Sequence, residues 1–102
     1  SYWDVSNVIS MEGVFHYACR FNQPIGKWKV DNVENMKILF KNAYCFNQPL
    51  GNWNLSNVTD ISGMFYDACN FKQSLRNWYY PKVKLENMKD MLKGAISFLN
   101  RY

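Results

Sequence analysis

The side chains able to carry chemistry are few, and their spacing works against them. There is one histidine, His16, and there are three cysteines, Cys19, Cys45 and Cys69. A zinc site needs ligands converging tetrahedrally on one point, yet these residues fall in three different units of a repeating pattern. Cys19 and Cys69 share one position two units apart. At ~4.8 Å per stacked unit they are too distant for a disulfide. The odd cysteine count argues the same way, and all three read as small, partly buried fillers. His16 has no counterpart at the equivalent Lys41, Tyr66 and Lys93, so it reads as a solvated surface residue. The carboxylates show no repeated pairing, and there is no Gly-rich phosphate loop or nucleophile elbow. The expectation is a chain that is not an enzyme and uses no metal or cofactor.

What would position these residues is an internal repeat. Trp3, Trp28, Trp53 and Trp78 lie 25 residues apart, and a fixed period of that size decides an architecture before any local reading. The units run approximately over residues 1–25, 26–50, 51–75 and 76–102, as one repeat domain and part of a longer array or larger chain. Other columns follow the tryptophans: Val5, Val30, Leu55, Tyr80; Phe15, Phe40, Phe65, Leu92; Phe21, Phe46, Phe71, Phe98. The fourth unit carries a two-residue insertion between Val83 and Met88.

In each unit apolar residues fall at i, i+3, i+4 and i+7, as in Met11, Val14, Phe15 and Ala18. That spacing predicts a two-turn helix, with Ser10, Asn35, Asp60 and Asn87 as N-caps. The segment at each Trp predicts a short strand, with Trp53 and Leu55 inward and Asn52 and Asn54 outward. Gly26 and Gly51 mark a bend before it. Residues 21–24 and 46–49, Phe-Asn-Gln-Pro in both, read as return loops whose amides bond the backbone. Asn7, Asn32 and Asn57 predict a hydrogen-bonded ladder that Lys82 breaks. Stacking would bury all four tryptophans and align the strands in parallel on one face.

Hydrophobic residues make up 48% and aromatic residues 18% of the chain, which excludes a disordered tail. The net charge of +4 is a mild excess that reads as solubility, with no nucleic-acid partner implied. No apolar run approaches a membrane span, so direct membrane insertion is not expected. The sequons at Asn54 and Asn57 arise from the repeat itself.

The run from Trp53 to Phe65, continued by Ala68 and Phe71, resembles the bacterial surface protein 26-residue repeat. This is the BspA-like, leucine-rich-repeat-related family of mycoplasma lipoprotein type. The Phe-Asn-Gln-Pro loops fit the same pattern, and the likeness weakens at Lys72, Ser74 and Arg76 and from Tyr79 to Glu86. Pattern and resemblance together predict an α/β fold: a short leucine-rich-repeat-like solenoid of four ~25-residue strand-plus-helix coils with parallel strands on one face.

The resemblance implies a non-catalytic protein-interaction or surface-adhesion module at the cell surface. The competing reading is a structural building block of a large assembly, such as a minor virion shell component. The expected partner is a protein or a surface glycan, with the N-terminal edge packing on a further repeat or another chain. The candidate binding residues are those that flank each Trp on the strand face: Tyr2 and Asp4, Lys27 and Lys29, Asn52 and Asn54, Asn77 and Tyr79. Stacking does not fix their identity, and they vary from unit to unit.

Overall fold

The computed structural model describes residues 3–102. Its organising device is a run of tight turns in each unit, where the sequence pattern predicts a helix. Val14 N–H closes on Met11 C=O, His16 on Gly13 and Ala18 on Phe15, each a three-residue step. The intervening donors leave the coil: Met11, Gly13, Phe15 and Tyr17 N–H bond the carbonyls of Asn35, Lys37, Leu39 and Lys41 at 2.8, 3.1, 3.0 and 2.9 Å. The next junction repeats this from Met36, Ile38, Phe40 and Asn42, and the third from Ile61, Gly63, Phe65 and Asp67. Successive coils are therefore stacked in register, these turn-side N–H groups donating in one direction along the stack, while Glu34 and Thr59 N–H donate the other way, to Ile9 and Glu34 C=O at 2.7 Å each.

An α-helix needs each N–H to reach back four residues, and here half of them are committed to the neighbouring coil. The backbone that allows this is left-handed at two points per coil. Gly13, Ile38, Gly63 and Asp90 share one of them, with φ of 66°, 51°, 61° and 58°. Tyr17, Asn42, Asp67 and Gly94 share the other, with φ of 62°, 60°, 56° and 79°. Each sits third in its turn, where a positive φ is required and Gly or Asn is favoured. Ile38 is the costly exception, since a β-branched side chain is crowded there. Its side chain lies between two coils that carry glycine at the same position: a Cβ on Gly13 would meet Ile38 Cδ1 at 3.6 Å, and one on Gly63 would meet Cγ2 at 3.0 Å.

These facts overturn the expected fold class. Among the described residues there is no sheet, only two isolated parallel bridges, Ser10 to Asn35 and Asn35 to Asp60. The only helices among the described residues are a 3-10 turn, Leu85–Met88, and α1, Ile96–Arg101. The chain is thus not an α/β leucine-rich-repeat-like solenoid of strand-plus-helix coils. The expected strands fail for a local reason. Trp53 N–H closes a turn on Leu50 and Val58 N–H closes one on Leu55, so too little free backbone lies between to pair with a neighbour. The expected N-caps bond locally without starting helices: Lys37 N–H donates to Asn35 Oδ1 at 2.9 Å and Ser62 N–H to Asp60 Oδ1 at 2.9 Å. Among the described residues no helix is long and apolar enough to cross a membrane.

The core is a set of aromatic stacks. Phe15, Phe40 and Phe65 lie 5.6 and 5.4 Å apart by ring centroid. Phe21, Phe46, Phe71 and Phe98 continue at 5.8, 6.0 and 6.0 Å. The near-parallel rings bury large apolar faces in offset contact. The tryptophans divide. Trp53 and Trp78 are buried, and their indole N–H groups donate to Ile25 and Leu50 C=O at 3.0 and 2.8 Å. Trp28 is half-buried, and Trp3, expected in the core, is 68% exposed on the first coil.

On the loop side the coils are joined by side chains. Asn47 and Lys72 N–H donate to Asn22 and Asn47 Oδ1 at 2.8 and 3.0 Å, as the Phe-Asn-Gln-Pro pattern predicts. The asparagine ladder takes another form. Asn32 and Asn57 donate to the backbone carbonyls of Ser6 and Asp31, each at 2.8 Å, and Lys82 extends the column by donating to Asn57 Oδ1 at 3.0 Å.

Candidate functional site

A concavity lies on the loop side, between the second and third Trp segments. It is an open groove of about 620 Å³ lined by Pro24, Gly26, Lys27, Trp28, Gln48, Pro49, Gly51 and Asn52. Its walls follow from the repeat: Pro24 and Pro49 occupy one position, Gly26 and Gly51 another. Gly26 is needed because a Cβ there would meet Pro49 O at 2.6 Å, whereas a Cβ on Gly51 would meet nothing within 4 Å. At the next junction, from the third coil to the fourth, Ser74 and Arg76 replace the proline and glycine, so the groove is particular to the middle of the stack.

The partly open Trp28 indole supplies an aromatic surface. Trp3 stacks against it at 6.0 Å and Phe15 lies 6.0 Å away on a tilt. Its Nε1 is buried and, among the described residues, has no partner. Gln48 is held by Asn22, donating from Nε2 to Asn22 O and Oδ1 at 3.1 Å each. Lys27 and Asn52 are exposed at the rim. The arrangement offers an aromatic ring, two prolines, amides and one cation, with no nucleophile beside a base.

The candidate residues from the sequence are dispersed. Tyr2 lies outside the described residues. Lys27 and Asn52 both line the groove; Lys29, Asn77 and Tyr79 are exposed but outside its lining. Asp4 and Asn54 are occupied in turns. Asp4 Oδ1 accepts from Ser6 Oγ at 2.6 Å and Ser6 N–H at 3.0 Å, and Asn54 Oδ1 accepts the same pair from Ser56 at the same distances. Those two bonds, the hydroxyl's first, hold the Asp4 carboxyl below its ordinary pKa. The sequence reading missed Trp28, Pro24, Pro49 and Gln48 as surface residues, because Trp was assigned to the core throughout. The available signal was the loss of Pro and Gly at the junction of the third and fourth coils, where Ser74 and Arg76 stand.

His16 is half-buried against Tyr17, with ring centroids 4.4 Å apart, and not freely solvated. Cys19 and Cys45 are exposed, so they are not fillers; Cys69 is intermediate, and all three are free. A shallower depression on the turn side holds Tyr66, whose ring faces Lys41 Nζ at 4.9 Å and Lys93 Nζ at 6.0 Å.

The family model described as "Mycoplasma protein of unknown function, DUF285" matches residues 1–102. The chain belongs to the DUF285 family. The match covers every coil but sits at the level of that family; it does not reach the narrower 26-residue BspA repeat. No curated protein and no solved structure matches the chain. What DUF285 membership adds is a common sequence pattern, and the chemistry must be read from the groove.

Proposed function

We propose that the chain is a non-catalytic interaction module, of the surface-adhesion kind found among BspA-like proteins, that binds a protein or glycan in the loop-side groove. The observation that carries this is the groove itself: a half-open Trp28 between two prolines, rimmed by Lys27 and Asn52, on a backbone held by bonds that leave those side chains free. Aromatic surface flanked by amides and a cation suits acidic or carbohydrate-bearing partners. Among the lining residues the one titratable side chain is Lys27, which supports binding over catalysis.

The test titrates neutral and sialylated oligosaccharides, and an acidic peptide, against the chain while Trp fluorescence is followed. Gly51→Arg fills the groove with the residue that the fourth coil carries at Arg76, at a site where a Cβ has open space. It is expected to abolish binding with unchanged melting. Lys27→Glu with Lys29→Glu is expected to weaken binding to the acidic probes selectively. Binding that survives Gly51→Arg rejects the groove, as does the absence of any response from all three probes.

A further inference from the structure

The turn that leads from the turn side to the loop side places thiols on adjacent coils. In each coil a phenylalanine N–H closes it: Phe21 on Ala18 C=O, Phe46 on Ala43 and Phe71 on Ala68, at 3.1, 3.2 and 3.1 Å. The two corner residues are Cys19 and Arg20 in the first coil, Tyr44 and Cys45 in the second, Cys69 and Asn70 in the third. Cysteine thus holds the first corner position in coils one and three and the second position in coil two. Phe46 and Phe71, which follow the corners, stack at 6.0 Å, so the turns of coils two and three lie in register.

Cys45 and Cys69 are therefore diagonal neighbours. With ~4.8 Å between coils and ~3.8 Å between consecutive Cα atoms, their Cα atoms lie about 6 Å apart, inside the span of roughly 4.4–6.8 Å that a disulfide bridges. The side chains favour this pair. The Cys69 thiol leans toward coil two and donates to Tyr44 C=O, the carbonyl bonded to Cys45 N, at 3.9 Å. Asn70 Nδ2 donates to the same carbonyl at 2.8 Å, which ties this corner of coil three to the Cys45 peptide. Cys19 is instead turned back on its own coil, donating to Tyr17 C=O at 3.2 Å. Cys45 is exposed, Cys69 is half-buried, and both are free. Each lies in a coil with a further coil on either side, so their placement does not depend on where the stack begins or ends.

We propose that Cys45 and Cys69 form an intercoil disulfide site, oxidised by a low-molecular-weight disulfide. Cys45, the more exposed thiol, reacts first. Its thiolate attacks one sulfur of the reagent, whose S–S bond breaks and releases one thiol. The Cys69 thiolate then attacks Cys45 Sγ in the mixed disulfide and expels the second thiol. The protein gives up two protons and two electrons, and the reagent takes them up as two thiols. The product closes residues 45–69 into a covalent loop. It ties coil two to coil three at the corner where the backbone ladder gives way to side-chain bonds. By restricting the unfolded chain it stabilises the stack, and reduction restores the open form.

The test treats the reduced 102-residue chain with oxidised glutathione under native conditions. Products are mapped by mass spectrometry without reduction after chymotrypsin, which cuts at Phe46, Trp53 and Phe65 between the two cysteines. The expected product is a Cys45–Cys69 link and a thermal midpoint above that of the reduced chain. Cys19→Ser is expected to form the same link within about twofold of the wild-type rate, and Cys45→Ser to form none. In Cys19→Ser combined with Cys69→Ser, the glutathione adduct on Cys45 is expected to persist about tenfold longer or more. In urea the three pairings are expected to mix, because the fold no longer selects one. Circular dichroism checks that each variant folds. A folded wild-type chain that keeps glutathione on Cys45 beside a free Cys69 overturns the proposal. So does a predominant link from Cys19 to either other cysteine.

Discussion

The turn side and the loop side of each coil solve one problem differently. Around residues 36–43 the coils are joined by main-chain bonds whose positions depend on left-handed backbone at Ile38 and Asn42. Around residues 46–58 they are joined by Asn, Gln and Trp side chains, and the main chain closes small turns on itself. The turn side thus sets register with little regard to side-chain identity, provided two backbone angles are met. The loop side holds a column of bonding side chains and leaves the residues between them, such as Lys27, Asn52 and Tyr79, unconstrained. A binding surface that differs from coil to coil can form on the second side without disturbing the first.

The largest expected effect tests where the two sides meet. Trp53 packs on Phe40 at 6.2 Å and donates to Ile25 C=O. Trp53→Ala should cost about 3–5 kcal/mol in chemical denaturation. Trp3→Ala, at the same repeat position but exposed, should shift stability by only about 0.5 kcal/mol. Equal losses would show that the first coil is packed like an inner one.

A glycine pair sharpens the contrast. Gly63, at φ 61° with Ile38 Cγ2 at 3.0 Å from a built Cβ, should lose about 1–2 kcal/mol as Gly63→Ala. Gly51→Ala on the loop side, with open space and no positive φ, should be neutral or gain up to about 1 kcal/mol through a less flexible unfolded chain. The reverse order in thermal melts would mean the left-handed turns are not what sets register.

Much of the core was legible because hydrophobic columns survive any backbone that repeats every 25 residues. Phe40, Phe46, Phe65 and Phe71 are buried where the pattern places them. Even the alternation of Asn52, Trp53, Asn54 and Leu55, out and in, holds. The secondary structure was not legible, because overlapping tight turns with left-handed residues four apart, as at Ile38 and Asn42, bury i, i+3, i+4 and i+7 just as a helix does. Gly13 and Gly63, in the middle of two stripes, were the available warning, since glycine weakens a helix interior. Ile38 at the same position concealed it. Of the candidate site, Lys27 and Asn52 were found, because variable outward residues are readable from pattern alone. The groove floor was missed, because a half-buried Trp28 has the same sequence signature as a buried Trp53.

A smaller effect checks the side-chain column. Asn57→Ala removes the bonds to Asp31 C=O and from Lys82. It should cost about 1 kcal/mol in urea melts, because the freed groups lie near solvent. A loss as large as that of Trp53→Ala would show that the column, and not the backbone ladder, carries the stack.

The smallest effect is a pH dependence. The Asp4 carboxyl titrates below its ordinary value when folded, so its turn contributes above the unfolded pKa and loses that contribution as pH falls through the folded one. Asp4→Asn, which copies Asn54, should leave neutral-pH stability unchanged and remove this component from acid titration followed by NMR. An unchanged acid limb would assign it to other carboxylates.

The two extra residues of the fourth coil show what kind of ruler the stack uses. Donor and acceptor are 24 residues apart at the first two turn-side junctions and 26 at the third, yet the same four bonds form. The surplus lies beside the Leu85–Met88 turn, on the way from loop side to turn side. Coil length is therefore counted from turn to turn and not from residue to residue. Material spliced into that connecting arc of an inner coil, between Val33 and Asn35 or Val58 and Asp60, would disturb the arc's own bonds, Glu34 N–H to Ile9 C=O and Thr59 N–H to Glu34 C=O, while leaving the turn-side ladder its phase. Sequence drift by insertion is thereby as open to this architecture as drift by substitution.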